Sequence, residues 1–182
     1  MKIETRRFLL RDFIPADDAA FLAYHVEPRF AEFCSPAEIT PSFNRNLLQQ
    51  FNQWANEYPR HNYQLAIVSR RDSALIGCGG LRQSGCDSGE AELGIELAPQ
   101  FWGRYAYALE VGQALINFGF GTLNLSKIRG ISVSENQRVS RLAERYGFVA
   151  INTFPGPDWM TARGWHQVEW QLTRETWQQF QT

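Results

Sequence analysis

At 182 residues the chain is long enough for one domain with a full core, and its 44% hydrophobic and 20% charged content is that of an ordinary globular protein. The formal net charge of -1 argues against a general nucleic-acid binder, which needs a basic face to displace counterions from phosphates; a local basic pocket stays open. No apolar run reaches the roughly 18 residues that span a bilayer, and Met1-Lys2-Ile3-Glu4-Thr5-Arg6-Arg7 lacks an apolar signal core. No membrane partner is expected, and the expected location is cytoplasmic.

Cys34, Cys78 and Cys86 form no close pair with metal-ligand spacing, and an odd count does not suggest a disulfide framework, so free thiols are expected. His25, His61 and His166 are far apart and match no zinc signature, so no metal is expected. A Cys/His nucleophile pair could be assembled only by the fold; singly these residues read as packing or surface.

In chain order, Thr5 to Arg11 reads as a first strand, and Pro15 followed by Asp17 and Asp18 suits the first turn of a helix through Tyr24. Ser42 is the expected cap of a longer helix whose apolar stripe is Phe43, Leu47, Phe51, Trp54, Ala55 and Tyr58. Strands over Tyr63–Ser69, Ala74–Leu81 and Glu90–Leu97, joined by short polar turns, predict an antiparallel meander. A helix from about Tyr105 to Phe120, burying Ala108, Val111, Leu115 and Phe118, leads to a strand over Lys127–Val133. That passage predicts a parallel crossover. A further helix, with Val139, Leu142, Ala143 and Tyr146 on one face, stops at Gly147, and strands near Phe148–Phe154 and Gly164–Thr173 follow. The expectation is a single α+β domain over 1–182, with a mixed, mostly antiparallel sheet, one parallel pair in its middle, and a ligand site beyond that pair's carboxyl ends.

Two strand-to-helix turns meet there. In the first, Gly103, Ala106 and Ala108 allow close backbone approach, and the helix start offers free N–H groups that suit a phosphate; a plain tight turn is the other reading. Arg104 beside it reads as a phosphate ligand or a solvated loop charge. In the second, Asn136 is either an N-cap or a ligand contact. From Lys127 to Arg145 stand five basic residues (Lys127, Arg129, Arg138, Arg141, Arg145) against Glu135 and Glu144, a surplus that attracts a polyanion unless it is a solvated face.

Gly94-Ile95-Glu96-Leu97-Ala98-Pro99, Trp102-Gly103-Arg104, Tyr107-Ala108-Leu109-Glu110, Asn136 and Gly147-Phe148 together resemble the acetyl-CoA-binding motifs of the GNAT N-acetyltransferases, in particular the branch of ribosomal-protein N-terminal (RimJ/RimL-like) acetyltransferases. Thr5–Arg11 and Leu75-Ile76-Gly77-Cys78-Gly79-Gly80-Leu81 are similar to that branch's first and third strands. The resemblance implies acetyl-CoA as co-substrate in a V-shaped opening between splayed parallel strands. Backbone N–H groups near Ile95, Glu96 and Leu97 would hold pantetheine and polarise the thioester. Those of Trp102, Gly103, Arg104, Ala106, Tyr107 and Ala108 would hold the pyrophosphate, and Asn136 would touch the cofactor. The chemistry is consistent on its own terms, because attack on a thioester builds an oxyanion that fixed backbone donors stabilise. Glu92 and Glu96, on one strand face with Gly94 between them, are the candidate bases for the incoming amine, or else solvent-facing carboxylates.

The chain departs from the family's pattern at Gly103-Arg104-Tyr105-Ala106-Tyr107-Ala108, which is one residue longer and lacks the middle glycine. Val139 and Ala143 stand where branches of the family carry a serine or a tyrosine acid. Ser140, Ser134 or Tyr146 would have to substitute, or water would protonate a thiolate whose pKa, about 8.5, makes it a tolerable leaving group. Aromatic residues (Phe154, Trp159, Trp165, Trp170, Trp177) crowd the C-terminal segment, and the rigid loop Phe154-Pro155-Gly156-Pro157-Asp158-Trp159 could wall an acceptor pocket or be ordinary core and edge packing; Trp170 and Trp177 read as core. The expectation is an N-acetyltransferase acting on a primary amine, a protein N-terminus or a small molecule, by direct transfer, as monomer or homodimer. The alternative is a non-catalytic acyl-CoA sensor or scaffold on the same fold.

Overall fold

A computed structural model describes residues 1–180; Gln181 and Thr182, the last two of the expected 1–182 unit, lie outside the described residues. Eight strands form one sheet in the order β1-β2-β3-β4-β5-β6-β8-β7. They are β1 (Lys2–Glu4), β2 (Phe8–Arg11), β3 (Asn62–Ser69), β4 (Leu75–Arg82), β5 (Glu90–Leu97), β6 (Lys127–Val133), β7 (Val149–Pro155) and β8 (His166–Thr173). Every neighbouring pair is antiparallel except β5–β6, the parallel pair near the middle. This is the mixed α+β fold that the element order predicts.

The expected first strand is instead a hairpin, with Ile3 opposite Leu10. Its turn is made by Thr5, whose N–H and hydroxyl donate to the Phe8 carbonyl and whose Oγ1 accepts from the Phe8 N–H. A threonine offering its own local hydrogen bonds competes with strand continuation, and here it wins.

The helices are α1 (Asp18–His25), α2 (Pro28–Ala31), α3 (Pro41–Ala55), α4 (Tyr105–Asn117), α5 (Gln137–Arg145), α6 (Asp158–Thr161) and α7 (Arg174–Phe180). The cap of α3 is Thr40, not Ser42: Thr40 Oγ1 accepts from the Phe43 N–H at 3.3 Å. Pro41 lacks an N–H and has a preset φ, so it fixes the first helical position and moves the cap two residues earlier. The buried stripe of α3 is accordingly Asn44, Leu48 and Phe51, with Leu47 and Trp54 beside it, whereas Tyr58 lies beyond the helix and is fully exposed at 101%.

Helices α1 and α3 cover one face of the sheet, where Phe13, Phe21, Tyr24, Leu48 and Phe51 pack on Ala66, Val68 and Cys78. On the other face, Val111 and Leu115 of α4 pack on Phe8, Leu10, Leu65, Ile67 and Ile76. A third cluster gathers Leu81, Ile116, Ile128 and Leu172 with Trp170 and Trp177, which are core as expected. Each fully buried Leu or Ile contributes roughly 1.5–3 kcal/mol, so these clusters fix the central strands as a rigid frame. The functional consequence lies at the upper end of β5 and β6. Their pairing runs through Glu90–Lys127, Ala91–Ile128 and Glu92–Arg129 and then stops. Beyond Glu92, β5 stays on β4 as far as Leu97 while β6 stays on β8 as far as Val133, so the two strands splay apart.

Candidate active site

The splay leaves one edge of β5 unpaired. A Cβ built at Gly79 or Gly77 would meet the carbonyls of Gly94 and Glu96, so these two residues direct their backbone toward β4. Strand alternation then turns the backbone of Ile95 and Leu97 the other way, into the gap. The Leu97 carbonyl there accepts from the Trp102 indole N–H at 2.7 Å. The N–H groups of Ile95 and Leu97 thus face a cavity of about 380 Å³, lined among others by Ile95, Glu96, Leu97, Trp102, Ala108 and Asn136.

At the mouth, Gly103 adopts φ +83, a backbone conformation costly for any residue with a Cβ. It redirects the chain so that α4 starts at Tyr105 with its amino end toward the cavity. Among the described residues, the N–H groups of Gly103, Tyr105 and Ala106 have no internal acceptor, whereas those of Trp102, Arg104 and Tyr107, expected to hold a pyrophosphate, are spent on the Pro99, Phe101 and Arg104 carbonyls at 3.2, 3.3 and 2.8 Å. Unpaired N–H groups at a helix start, with Arg104, Arg138 and Arg141 also lining the cavity, form an anion site.

The expected site residues divide under this geometry. Ile95, Glu96, Leu97, Trp102, Gly103, Arg104, Ala108 and Asn136 converge on the cavity. Ala106 and Tyr107 are not among its lining side chains. Tyr107 packs edge-on against Phe8 at 4.9 Å, and the Ala106 carbonyl accepts from Arg7. Asn136 is an N-cap, its Oδ1 accepting from the Val139 N–H at 3.4 Å, and it also lines the cavity. Of the basic surplus, only Arg138 and Arg141 reach the cleft. Lys127 and Arg129 pair with Glu90 at the far end of the strands, and Arg145 lies on the other side of α4.

The alternative acids are occupied elsewhere. The Ser140 hydroxyl donates to the Asn136 carbonyl at 3.5 Å, and the Tyr146 hydroxyl donates to the carbonyls of Ala108 and Leu109 at 2.6 and 2.9 Å. Ser134 Oγ contacts Glu135 and accepts from the His166 N–H. The 154–159 loop is not among the cavity's lining residues; its walls come from Phe30, Phe33, Cys34 and Phe101. The aromatic-rich 154–165 segment instead braces the 30–34 segment, an aromatic strap over the cavity, through Trp165 against Phe33 at 5.6 Å and Arg163 donating to the Glu32 carbonyl.

Glu92 and Glu96 do share a face, but their surroundings differ. Glu92 is paired with Arg82 at 2.5 Å. Glu96 has three partners that the sequence did not reveal. Its Oε1 accepts from the Tyr24 hydroxyl at 2.6 Å and from the Cys78 thiol at 3.1 Å, and lies 3.1 Å from His25 Nε2. Burial pushes the Glu96 carboxyl up, but the hydrogen bond and charge of His25, with the hydrogen bonds of Tyr24 and Cys78, outweigh it and hold the group below the ordinary glutamate value. Burial, helped by Glu96, pushes Cys78 well up. Burial, with Cys78 and Glu96, does the same to Tyr24. Cys34, which lines the cavity, is pushed up to about 12 by burial and by Glu38 and Glu96. These groups keep their protons at neutral pH, so neither thiol is a ready nucleophile. No local motif marks Tyr24, His25 or the aromatic strap. Tyr105 was visible only as an extra residue; its hydroxyl crosses the cleft mouth to the Arg141 carbonyl at 3.3 Å.

A splayed parallel pair, a free strand edge and a helix start with unpaired N–H groups thus meet at one cleft. The acetyltransferase (GNAT) domain family matches residues 7–149, and the chain belongs to that family. It is 27% identical over 145 residues to the uncharacterized N-acetyltransferase p20 of Bacillus licheniformis, covering 79% of this chain and 80% of that protein. A GNAT-family acetyltransferase from Bacillus anthracis has a similar structure, with TM-score 0.78 and 20% identity over 96% of this chain and 99% of that one. So does the ribosomal-protein-S5-alanine acetyltransferase of Vibrio fischeri, with TM-score 0.76 and 16% identity over 97% and 98%. Among the described residues, no helix is long and apolar enough to cross a membrane.

Proposed function

We propose that the protein is an acetyl-CoA-dependent N-acetyltransferase acting on a primary amine, a protein N-terminus or a small molecule, by direct attack in a ternary complex. The observation that carries this reading is the free edge of β5, which presents Ile95 and Leu97 N–H groups beside the Glu96 carboxylate. Pantetheine lies along that edge. The diphosphate sits on the unpaired N–H groups of Gly103, Tyr105 and Ala106, with Arg104, Arg138 and Arg141 supplying charge.

Glu96 is the base. Its carboxylate stays ionised at neutral pH and faces the cavity, whereas Glu92 is neutralised by Arg82. The protonated state of Cys34 and Cys78 supports direct transfer over a covalent thioester on the enzyme. Calorimetric titration with acetyl-CoA tests the reading: saturable binding is expected, and its absence at millimolar cofactor sinks it.

The hydroxyls of Ser140 and Tyr146 are spent on backbone carbonyls, which favours a second reading, an acyl-CoA sensor without turnover. A panel of small primary amines and short peptides with free N-termini separates the two. Thiol release with any member supports the enzyme, and tight cofactor binding with none supports the sensor.

A further inference from the structure

His25 is nearly sealed, its side chain 4% exposed, with its ring against Phe21, Tyr24 and Phe30 at centroid distances of 4.1, 4.3 and 4.6 Å. Its Nδ1 lies 2.8 Å from the Phe21 carbonyl. A carbonyl only accepts, so Nδ1 must carry a hydrogen. The other nitrogen, Nε2, faces Glu96 Oε1 at 3.1 Å. An unprotonated imidazole nitrogen and a carboxylate oxygen are both acceptors, and that approach requires a proton between them. Tyr24 and Cys78 donate to the same oxygen, so Oε1 is saturated while Oε2 has no protein donor among the described residues.

We propose that His25 is a positioning residue for acetyl transfer: as an imidazolium it holds Oε1, keeps Glu96 ionised, and leaves Oε2 as the one carboxylate oxygen available to the acceptor amine. This rests on the reading of Glu96 as base. The titratable groups facing the pair are Tyr24 on α1, Cys78 on β4 and Cys34 after α2, all neutral at physiological pH, and no Lys or Arg among the described residues pairs with Glu96. The positive charge at this carboxylate therefore comes from His25.

The proton balance is simple. The acceptor ammonium gives one proton to Oε2, and the freed amine forms the C–N bond. The C–S electron pair leaves with sulfur. The second amine proton neutralises the thiolate through water, and Glu96 returns its proton to bulk solvent. The His25 proton stays on Nε2 throughout.

The test uses the purified full chain. In nitrogen-15 spectra of the free protein at pH 7, both ring nitrogens of His25 are expected to be protonated in the wild type and Nδ1 alone in Glu96→Gln; a neutral ring in the wild type overturns the proposal. In a carbon-13 titration of the Glu96 carboxyl, His25→Gln keeps a donor to Oε1 but removes the charge, and should raise the midpoint by about one pH unit or more. An unchanged or lowered midpoint also overturns it. With the first amine of the panel that the wild type acetylates, the acid limb of kcat/KM should move upward in His25→Gln by the same interval; a limb that stays in place counts against the role. If His25→Gln fails to fold, the nitrogen-15 comparison still decides. The base reading fails separately, if Glu96→Gln leaves the transfer rate unchanged while the His25 signals still change.

Discussion

The Tyr146 hydroxyl oxygen lies 2.1 Å from where a Cβ on residue 112 would stand, so Gly112 is the seat of this ring. Its two hydrogen bonds to the Ala108 and Leu109 carbonyls lock the end of α5 onto α4, and these helices flank the 380 Å³ cavity. Gly112→Ala should therefore act as an overpacking change costing about 1–3 kcal/mol, despite alanine's better helix propensity. Urea denaturation measures it, and a stability gain would refute the lock. Because the walls shift with it, acetyl-CoA affinity should fall in the same variant.

Glu96 and Glu92 are the next pair to separate. Glu96→Gln is expected to lower kcat by about 100-fold or more, the usual scale of a lost general base. Glu92→Gln, which removes a carboxylate already paired with Arg82, should change it by less than about threefold, because that carboxylate is held by the guanidinium and is not available to take a proton from the amine. Steady-state rates across pH settle the comparison; equal small effects would remove the base from this strand.

Trp102 is fixed at its indole N–H by the Leu97 carbonyl and lies under Arg138 at 4.0 Å and Arg29 at 5.1 Å. Glu32 joins Arg138 at 3.8 Å, so one tryptophan ties α2, β5 and α5 together over the cleft. Acetyl-CoA should change tryptophan fluorescence, and Trp102→Phe should abolish most of that change. Arg138→Ala should weaken binding several-fold, in keeping with a loss of about 1 kcal/mol. Identical titration curves for wild type and Arg138→Ala would rule out this closure.

Acid should unfold the protein through depressed carboxylates. Burial raises Glu110, but Thr5 and Arg7 outweigh it and leave the group below its ordinary value, as His25 and its neighbours do for Glu96. A carboxyl whose folded value is lowered contributes its stability above the unfolded value, about 4.3, and loses it as pH falls through the folded one. The urea midpoint should hold between pH 7 and about 5.5 with respect to these groups and drop below about 4. Glu110→Gln should flatten that drop. A drop of undiminished steepness in this variant would show that Glu110 is not among the groups responsible.

Much of this was readable from residues. The meander of β3 to β5, the crossover through α4 and the turn at Gly103 follow from local periodicity and turn chemistry, because side-chain alternation and backbone preference act within a few positions. The errors were local too. Thr5 breaks the first strand by bonding to Phe8, and Pro41 draws the α3 cap back to Thr40. Both are competitions between nearby groups that differ by a kcal/mol or so, within which a propensity argument has no purchase.

The sequence by itself determined the wall of the cleft made by the β5 strand, the Gly103 turn and Asn136, since these are contiguous motifs whose chemistry is carried by the backbone. Only the tertiary structure decided the surroundings of Glu96. Tyr24 and Glu96 are 72 positions apart, and they meet because α1 packs across β4 and β5 at one register. The same packing brings His25 and Cys78 onto one carboxylate oxygen, while a separate contact, α5 against α4, holds the Tyr146 hydroxyl on the Ala108 and Leu109 carbonyls. Backbone conformation is set by near neighbours, whereas the meeting of side chains depends on how whole elements are laid against one another, and no local window of the chain contains that.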